Sequence, residues 1–226
     1  MKVCAYVMTY DTGLAPNPFH GLCTLAVCSP NHLNANLGNG DYIVGVAGAE
    51  IRSRLNTPNE WRLIYAMQID KRITLDEYYR SSVYKSKIPK RSGPREVMCG
   101  DNFYKLSGEE LVHTGESTDH DWREAIEKDC KGNRVFIGKG FLYFGKDAEP
   151  FPETDWATKL KNQLTYKPRG VSYIFGGRGR HLWTIDDLKS FKLFFSCHAS
   201  PIPKNNPVDF DNWKSESGEE SCSKCT

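Results

Sequence analysis

Residues 40–80 read GDYIVGVAGAEIRSRLNTPNEWRLIYAMQIDKRITLDEYYR. Two apolar runs stand out, Tyr42 to Val46 among glycines and Leu63 to Ile69, and the second alternates through Leu63, Tyr65, Met67 and Ile69. A period of two puts every second side chain on one face, so both runs read as strands. The pattern then changes. Asp76 introduces a stretch of helix formers and aromatics, LDEYYRSSVYKS, which is halted at Ile88-Pro89 because the residue before a proline is pushed out of helical geometry. Strands followed by a helix in one stretch argue for a mixed α+β domain.

The reading extends in both directions. Lys2 to Tyr10 is an extended run and Thr24 to Val27 a short apolar piece. DNFYKL suggests a short strand or turn, and STDHDWREAIEKDC opens a helix with Ser117, Thr118 or Asp119 as cap candidates and a stop at Lys131-Gly132. RVFIGKGFLYFG is a strand broken by Gly138 and Gly140, TDWATKLKNQL is a helix, and GVSYIFGG is a strand entering a Gly-rich turn. Thr184 then opens a helix over TIDDLKSFKLFFSC, with Asp186 and Asp187 in its first turn. From Ile202 the composition turns to Pro, Asn, Ser, Glu and Lys, which predicts a single domain over residues 1–201 and a flexible polar tail over 202–226.

Composition narrows the function classes. The chain has 226 residues, 39% hydrophobic and 26% charged, with a formal charge of +2, so it can bury a full core and lacks the overall field of a nucleic-acid coat. Its start carries no continuous apolar run of a signal peptide and no window spans a bilayer, so the expectation is a soluble cytoplasmic protein. Eight scattered cysteines are expected to be reduced and mostly buried. Cys222 and Cys225 have CxxC spacing, but one pair supplies at most two ligands, so no structural metal site is expected. No residue pattern names a cofactor.

Four stretches carry candidate chemistry. In DTGLAPNPFHGLCTLAVC, residues 11–28, Pro16 and Pro18 lock φ on either side of Asn17, and this stiff loop presents Asp11, Thr12, Asn17, Phe19, His20 and Cys23. It reads as a ligand-facing template or as a packed rim, and a reactive Cys23 would need a neighbouring base such as His20. Gly176-Gly177-Arg178-Gly179-Arg180-His181 lies between a strand and a helix start, where glycines admit a phosphate to the backbone and Arg178, Arg180 and His181 supply charge. In the segment from Tyr78 to Tyr104, Lys85, Lys87, Lys90, Arg91 and Arg95 are interleaved with aromatic rings, the mixture that neutralises phosphates and stacks on bases. Asp119 and Asp121, beside His120, serve equally as helix caps or as acid and base groups.

Several of these stretches together resemble a known family. TYDTGLAPNPFHGLCTLAVCSP, GDYIVGVAG, GDNFY, RVFIGKGFLYFGKDAEPFP and GGRGRH, in that order, look like the successive motifs of the second nucleotide modification associated domain family. That resemblance implies a place in bacterial or phage systems that make or handle modified DNA bases. GDYIVGVAG followed by RLIYAMQIDKRITLDEYY is also similar to the strand, strand, helix order of PUA-like barrels such as EVE and ASCH domains, which implies a PUA-like mixed β-barrel with helical elaborations. The first loop would then form a nucleotide or base pocket, through Asp11, Thr12, Asn17, Phe19 and His20. Arg178, Arg180 and His181, with the basic segment Lys85 to Arg95, would hold phosphates. Two function classes follow: a module that binds a nucleotide or a modified base in DNA, and an enzyme of the same pathway using His20, Cys23, Asp119 or Asp121. A partner enzyme of a DNA-modification pathway is the further expected contact.

Overall fold

The structure is a computed structural model, and it describes residues 1–27, 36–117, 120–166, 173–176 and 183–211. Its main sheet is mixed. Strand β3 (Tyr42–Ala47) lies between β1 (Val3–Met8), which it pairs in parallel, and β4 (Arg62–Gln68), which it pairs antiparallel. Strand β11 (Tyr173–Phe175) closes the β1 side, and β9 (Phe141–Tyr143) and β10 (Glu149–Pro150) pair with β4. A second sheet holds β2 (Cys23–Leu25), β8 (Val135–Gly138) and β5 (Lys71–Ile73) in that order. A hairpin of β6 (Tyr104–Ser107) and β7 (Glu110–His113) stands apart.

The period of two seen in the sequence sorts the core into layers. Along β1 and β3, Val3, Ala5, Tyr42, Val44 and Val46 face one cluster, and Cys4, Met8, Ile43 and Ala47 face another. The first cluster is capped by α5 (Asp155–Tyr166) and α6 (Ile185–His198), which contribute Trp156, Leu160, Phe191 and Phe195. Thr184 opens α6 as expected: its hydroxyl and the Asp187 carboxylate satisfy each other's backbone N–H groups in a capping box. The second cluster lies between the two sheets. Because β3 is buried on both faces, it is apolar throughout instead of alternating with polar residues.

Helix α1 (Ala49–Arg54) follows β3, and α2 (Leu75–Arg80) follows β5. Thr74 and Glu77 form a capping box at the start of α2, and a 3-10 turn, Ser82–Lys87, carries the chain on to a short helix α3 (Arg95–Met98). The four elements from α2 to the β6–β7 hairpin cover the outer side of the second sheet, with Leu75, Tyr78, Phe103 and Tyr104 meeting Val135 and Ile137.

Three expectations are corrected. The sheets are several and open, with no closed PUA-like barrel among the described residues. They share one corner, where β4 runs into β5 and β8 into β9, and the ladder continues across it through Gln68 N–H to Gly140 O (3.0 Å) and Asp70 N–H to Ile137 O (2.8 Å). Gly138 permits that corner, since a Cβ there would lie 2.4 Å from the Gln68 carbonyl oxygen. On the far side β2 pairs only with β8 as a strand, so nothing among the described residues closes the ring.

The helix expected from Ser117, Thr118 or Asp119 starts later. It is α4 (Arg123–Cys130), with Trp122 at its N-cap and no side-chain cap. Thr118 and Asp119 lie outside the described residues. Finally, the chain beyond Ile202 does not leave the domain there: Val208, Asp209 and Phe210 are buried, so the boundary expected after residue 201 falls inside packed chain.

Candidate functional site

The proline loop leads from β1 to β2 and is organised from within by Asn17. Its backbone exchanges two hydrogen bonds with Thr24 (2.9 and 3.0 Å), and its side-chain NH2 donates to Gly13 O and Cys99 O, both at 2.9 Å. The Asn17 carbonyl and side-chain oxygens then face inward, together with Leu22 O. Into them comes Lys87, whose ammonium donates to Asn17 Oδ1 (2.6 Å), Asn17 O (3.0 Å) and Leu22 O (2.7 Å). Three N–H groups meet three oxygens. Lys87 is 0% exposed, and so it is no part of the phosphate-facing row in which the sequence placed it.

This interior holds other titratable groups. Tyr78 donates its hydroxyl to Asp101 Oδ1 at 2.7 Å, and Asp101 is as buried as Lys87. Burial pulls the Lys87 ammonium down to about 8, with Asp101 opposing, and the same burial pushes the Asp101 carboxyl up, with Lys87 opposing. Below 8 Lys87 keeps its proton. Burial also pushes the Cys23 thiol up to about 12 despite Lys87, so Cys23 stays a neutral thiol in the core.

At the loop's start, Asp11 is gripped by the chain's distant end. The Tyr143 hydroxyl and Val208 N–H (2.9 Å) donate to its two carboxylate oxygens. Asp209 N–H donates to Asp11 O and Asp11 N–H donates to Asp209 Oδ2, both at 2.8 Å, and Arg54 pairs with Asp209 at 3.1 Å. Burial, tempered by these donors, raises the Asp11 carboxyl to about 6. The backbone reaches this place over Gly145, whose φ is +54° and where a Cβ would lie 2.1 Å from Asn206 O. Residues 205–211 form a strap over the proline loop.

The strap ends on the loop's aromatic residue. Phe210 lies against Phe19, with ring centroids 5.6 Å apart, and the Arg95 guanidinium approaches the Phe210 ring at 5.8 Å. Arg95 also donates to Asp211 O at 2.9 Å, and Lys146 pairs with the Asp211 carboxylate. Of the remaining basic residues of this segment, Lys85, Lys90 and Arg91 are exposed, and Arg95 is half-buried. His20, at a left-handed φ of 59°, is exposed, its Nε2 donating to Glu96 O at 3.3 Å. Lys90 N–H to Val97 O (3.1 Å) and Arg91 to Gly115 O (2.8 Å) fix the loop that carries these cations.

Thus Asp11, Asn17, Phe19 and His20 belong to one loop, with Arg95 beside it, and Thr12 caps Leu14 N–H at 3.3 Å. The catalytic candidates are not assembled: His20 is exposed, Cys23 is sealed in the core, and Asp121 is exposed at the far helix start. Asp119, Arg178, Arg180, His181, Cys222 and Cys225 lie outside the described residues. Buried His120 instead hydrogen-bonds Asp129, which also accepts from Tyr104 at 3.1 Å. Sequence reasoning missed Tyr143, Asp101 and the strap. Only the strap left a signal, Val208 and Phe210 alternating with Asp209 and Asp211 in a polar setting.

A separate cavity of about 330 Å³ opens beside Tyr143, lined also by Phe144, His198, Ser200, Ile202 and Lys204. His198 Nδ1 donates to Phe194 O at 2.7 Å. Among the described residues no helix is long and apolar enough to cross a membrane.

Residues 1–214 match the family model described as nucleotide modification associated domain 2. No curated protein and no solved structure matches the chain.

Proposed function

The chain belongs to the nucleotide modification associated domain 2 family, and on that premise we propose that it binds a nucleotide or a modified base in DNA. The observation that carries this reading is the run of exposed cations Lys85, Lys90 and Arg91 in the segment that brings Arg95 to the Phe210 ring over Phe19, with exposed His20 of the same loop bonded to Glu96 O. Cations neutralise phosphates, and an aromatic ring beside them can stack on a base, at about 1–3 kcal/mol per base. A base must first be unstacked at a cost of a few kcal/mol, which stacking of that size offsets in large part. The setting is DNA base modification, or recognition of its product, in a bacterial or phage-infected cell, alongside an enzyme of that pathway.

The test is equilibrium binding to labelled oligonucleotides carrying plain or hypermodified thymine or cytosine at two salt concentrations, followed by digestion and mass measurement of the nucleosides. Selective, salt-weakened binding with unchanged masses is the expected result. A mass shift makes the chain an enzyme of the pathway, and no binding at either salt overturns the proposal.

A further inference from the structure

Consecutive residues of the strap present a flat ring and an anion to the candidate site. The Phe210 ring lies on Phe19 at 5.6 Å and within 5.8 Å of the Arg95 guanidinium. The Asp211 carboxylate next to it pairs with Lys146, and Arg95 donates to the Asp211 carbonyl at 2.9 Å. An aromatic ring packed on another at a tilt of 35° and approached by a guanidinium, followed by an anion held on a lysine, occupies the positions that a base and its phosphate would take. One nitrogen of Arg95, Nη1, is buried and has no hydrogen-bond partner among the described residues. A neutral phenyl ring gives that donor nothing to hold. A nucleobase, with carbonyl and ring-nitrogen acceptors on its edge, supplies what Phe210 lacks.

We infer that Phe19 and Arg95 form a slot for a single unstacked base and that Phe210 and Asp211 of the same chain occupy it when no nucleotide is bound. The inference rests on the nucleotide reading above and adds the subsite and its regulation: an incoming base displaces Phe210, and its phosphate displaces Asp211 from Lys146. Only the outer end of the strap need give way: Val208 is anchored in the core cluster between the sheets, Asp209 is held by hydrogen bonds to Asp11 and by its pair with Arg54, and Phe210 belongs to a small cluster of its own with Phe19 and Cys99.

The probes are a labelled oligothymidylate and an abasic oligomer of equal length, which shares its phosphates and lacks bases. Phe210→Ala in the full chain should bind oligothymidylate at least about threefold more tightly than the wild type and leave the abasic oligomer unchanged. Asp211→Asn, which keeps the ring, should tighten both probes. In the wild type, which needs no substitution, the Asp209 and Phe210 amides, which donate to Asp11 O and Pro207 O, should lose hydrogen-exchange protection when oligothymidylate is added. Wild-type binding with no gain in either variant and unchanged amide protection overturns the slot while leaving the nucleotide reading intact. Equal gains on both probes from Phe210→Ala overturn it as a base slot. No binding of either probe by any of the proteins overturns both readings together.

Discussion

The Lys87 ammonium lies 2.6 Å from the side-chain oxygen of Asn17, in an interior that neither residue leaves. The two prolines beside Asn17 hold a ring of oxygens open for that charge. Lys87→Met keeps the side chain's length but leaves Asn17 Oδ1 and Leu22 O without their lysine donor, while Asn17 O keeps the Thr24 N–H. It should cost about 2–4 kcal/mol of stability, since each buried acceptor left unpaired costs about 1–3 kcal/mol. Urea denaturation measures this, and a loss below about 1 kcal/mol would mean that the loop does not depend on the lysine.

Acid should favour the folded state through Asp11. Its carboxyl titrates near 6 in the folded chain against 3.8 as the ordinary value. The folded state therefore binds the proton more tightly, and this group's contribution is complete below pH 3.8 and lost as pH rises through 6. Asp11→Asn removes the titration and keeps a hydrogen-bonding group, since the Tyr143 hydroxyl can turn to accept from an amide. Relative to the wild type, the variant should gain about 1–3 kcal/mol on going from pH 4 to pH 7.5. Parallel pH profiles for the two proteins would contradict the assignment.

Alkylation of the native protein should separate the cysteines by burial. Cys197 is exposed, whereas Cys4, Cys23 and Cys99 are buried, and Cys23 is held as a thiol with its value raised to about 12. Iodoacetamide at pH 8 should label Cys197 within minutes and leave Cys23 unmodified until the chain is unfolded, as read by peptide mass mapping. Rapid native labelling of Cys23 would restore it as a candidate nucleophile.

Lys90→Ala with Arg91→Ala removes two exposed cations and, with Arg91, its hydrogen bonds to Gly115 O, but no buried side chain. If these residues contact phosphates, the slope of log affinity against log salt for single-stranded DNA should become shallower by about 1.4, or about 0.7 per contact. An unchanged slope would place the phosphates elsewhere.

How far the sequence could be read depended on the range of the forces involved. Strands β1, β3 and β4, the break at Gly138 and Gly140, and the Thr184 cap all rest on neighbours a few residues away, and each was visible as a local pattern. Lys87 was not. In KSKIPK it sits between Lys85 and Lys90, which are exposed, and the oxygens that enclose it come from 65 and 70 residues earlier in the chain. His120 and Asp129 are nine residues apart, and their segment read as a helix cap because a cap is the local use of such residues. The strap was concealed by composition, its few apolar residues diluted among Pro, Asn and Asp.

The first strand has a further consequence for how the molecule is made. Val3–Met8 takes one neighbour from residues 42–47 and the other from residues 173–175, while Asp11 waits for a donor 197 positions away. A chain growing from its N-terminus must therefore carry an unpaired, apolar strand edge through most of its synthesis, and closing loops of such length is slow. Until then that edge is a template for strands of other chains, so recovery of folded protein should rise when a holding chaperone covers the nascent N-terminus.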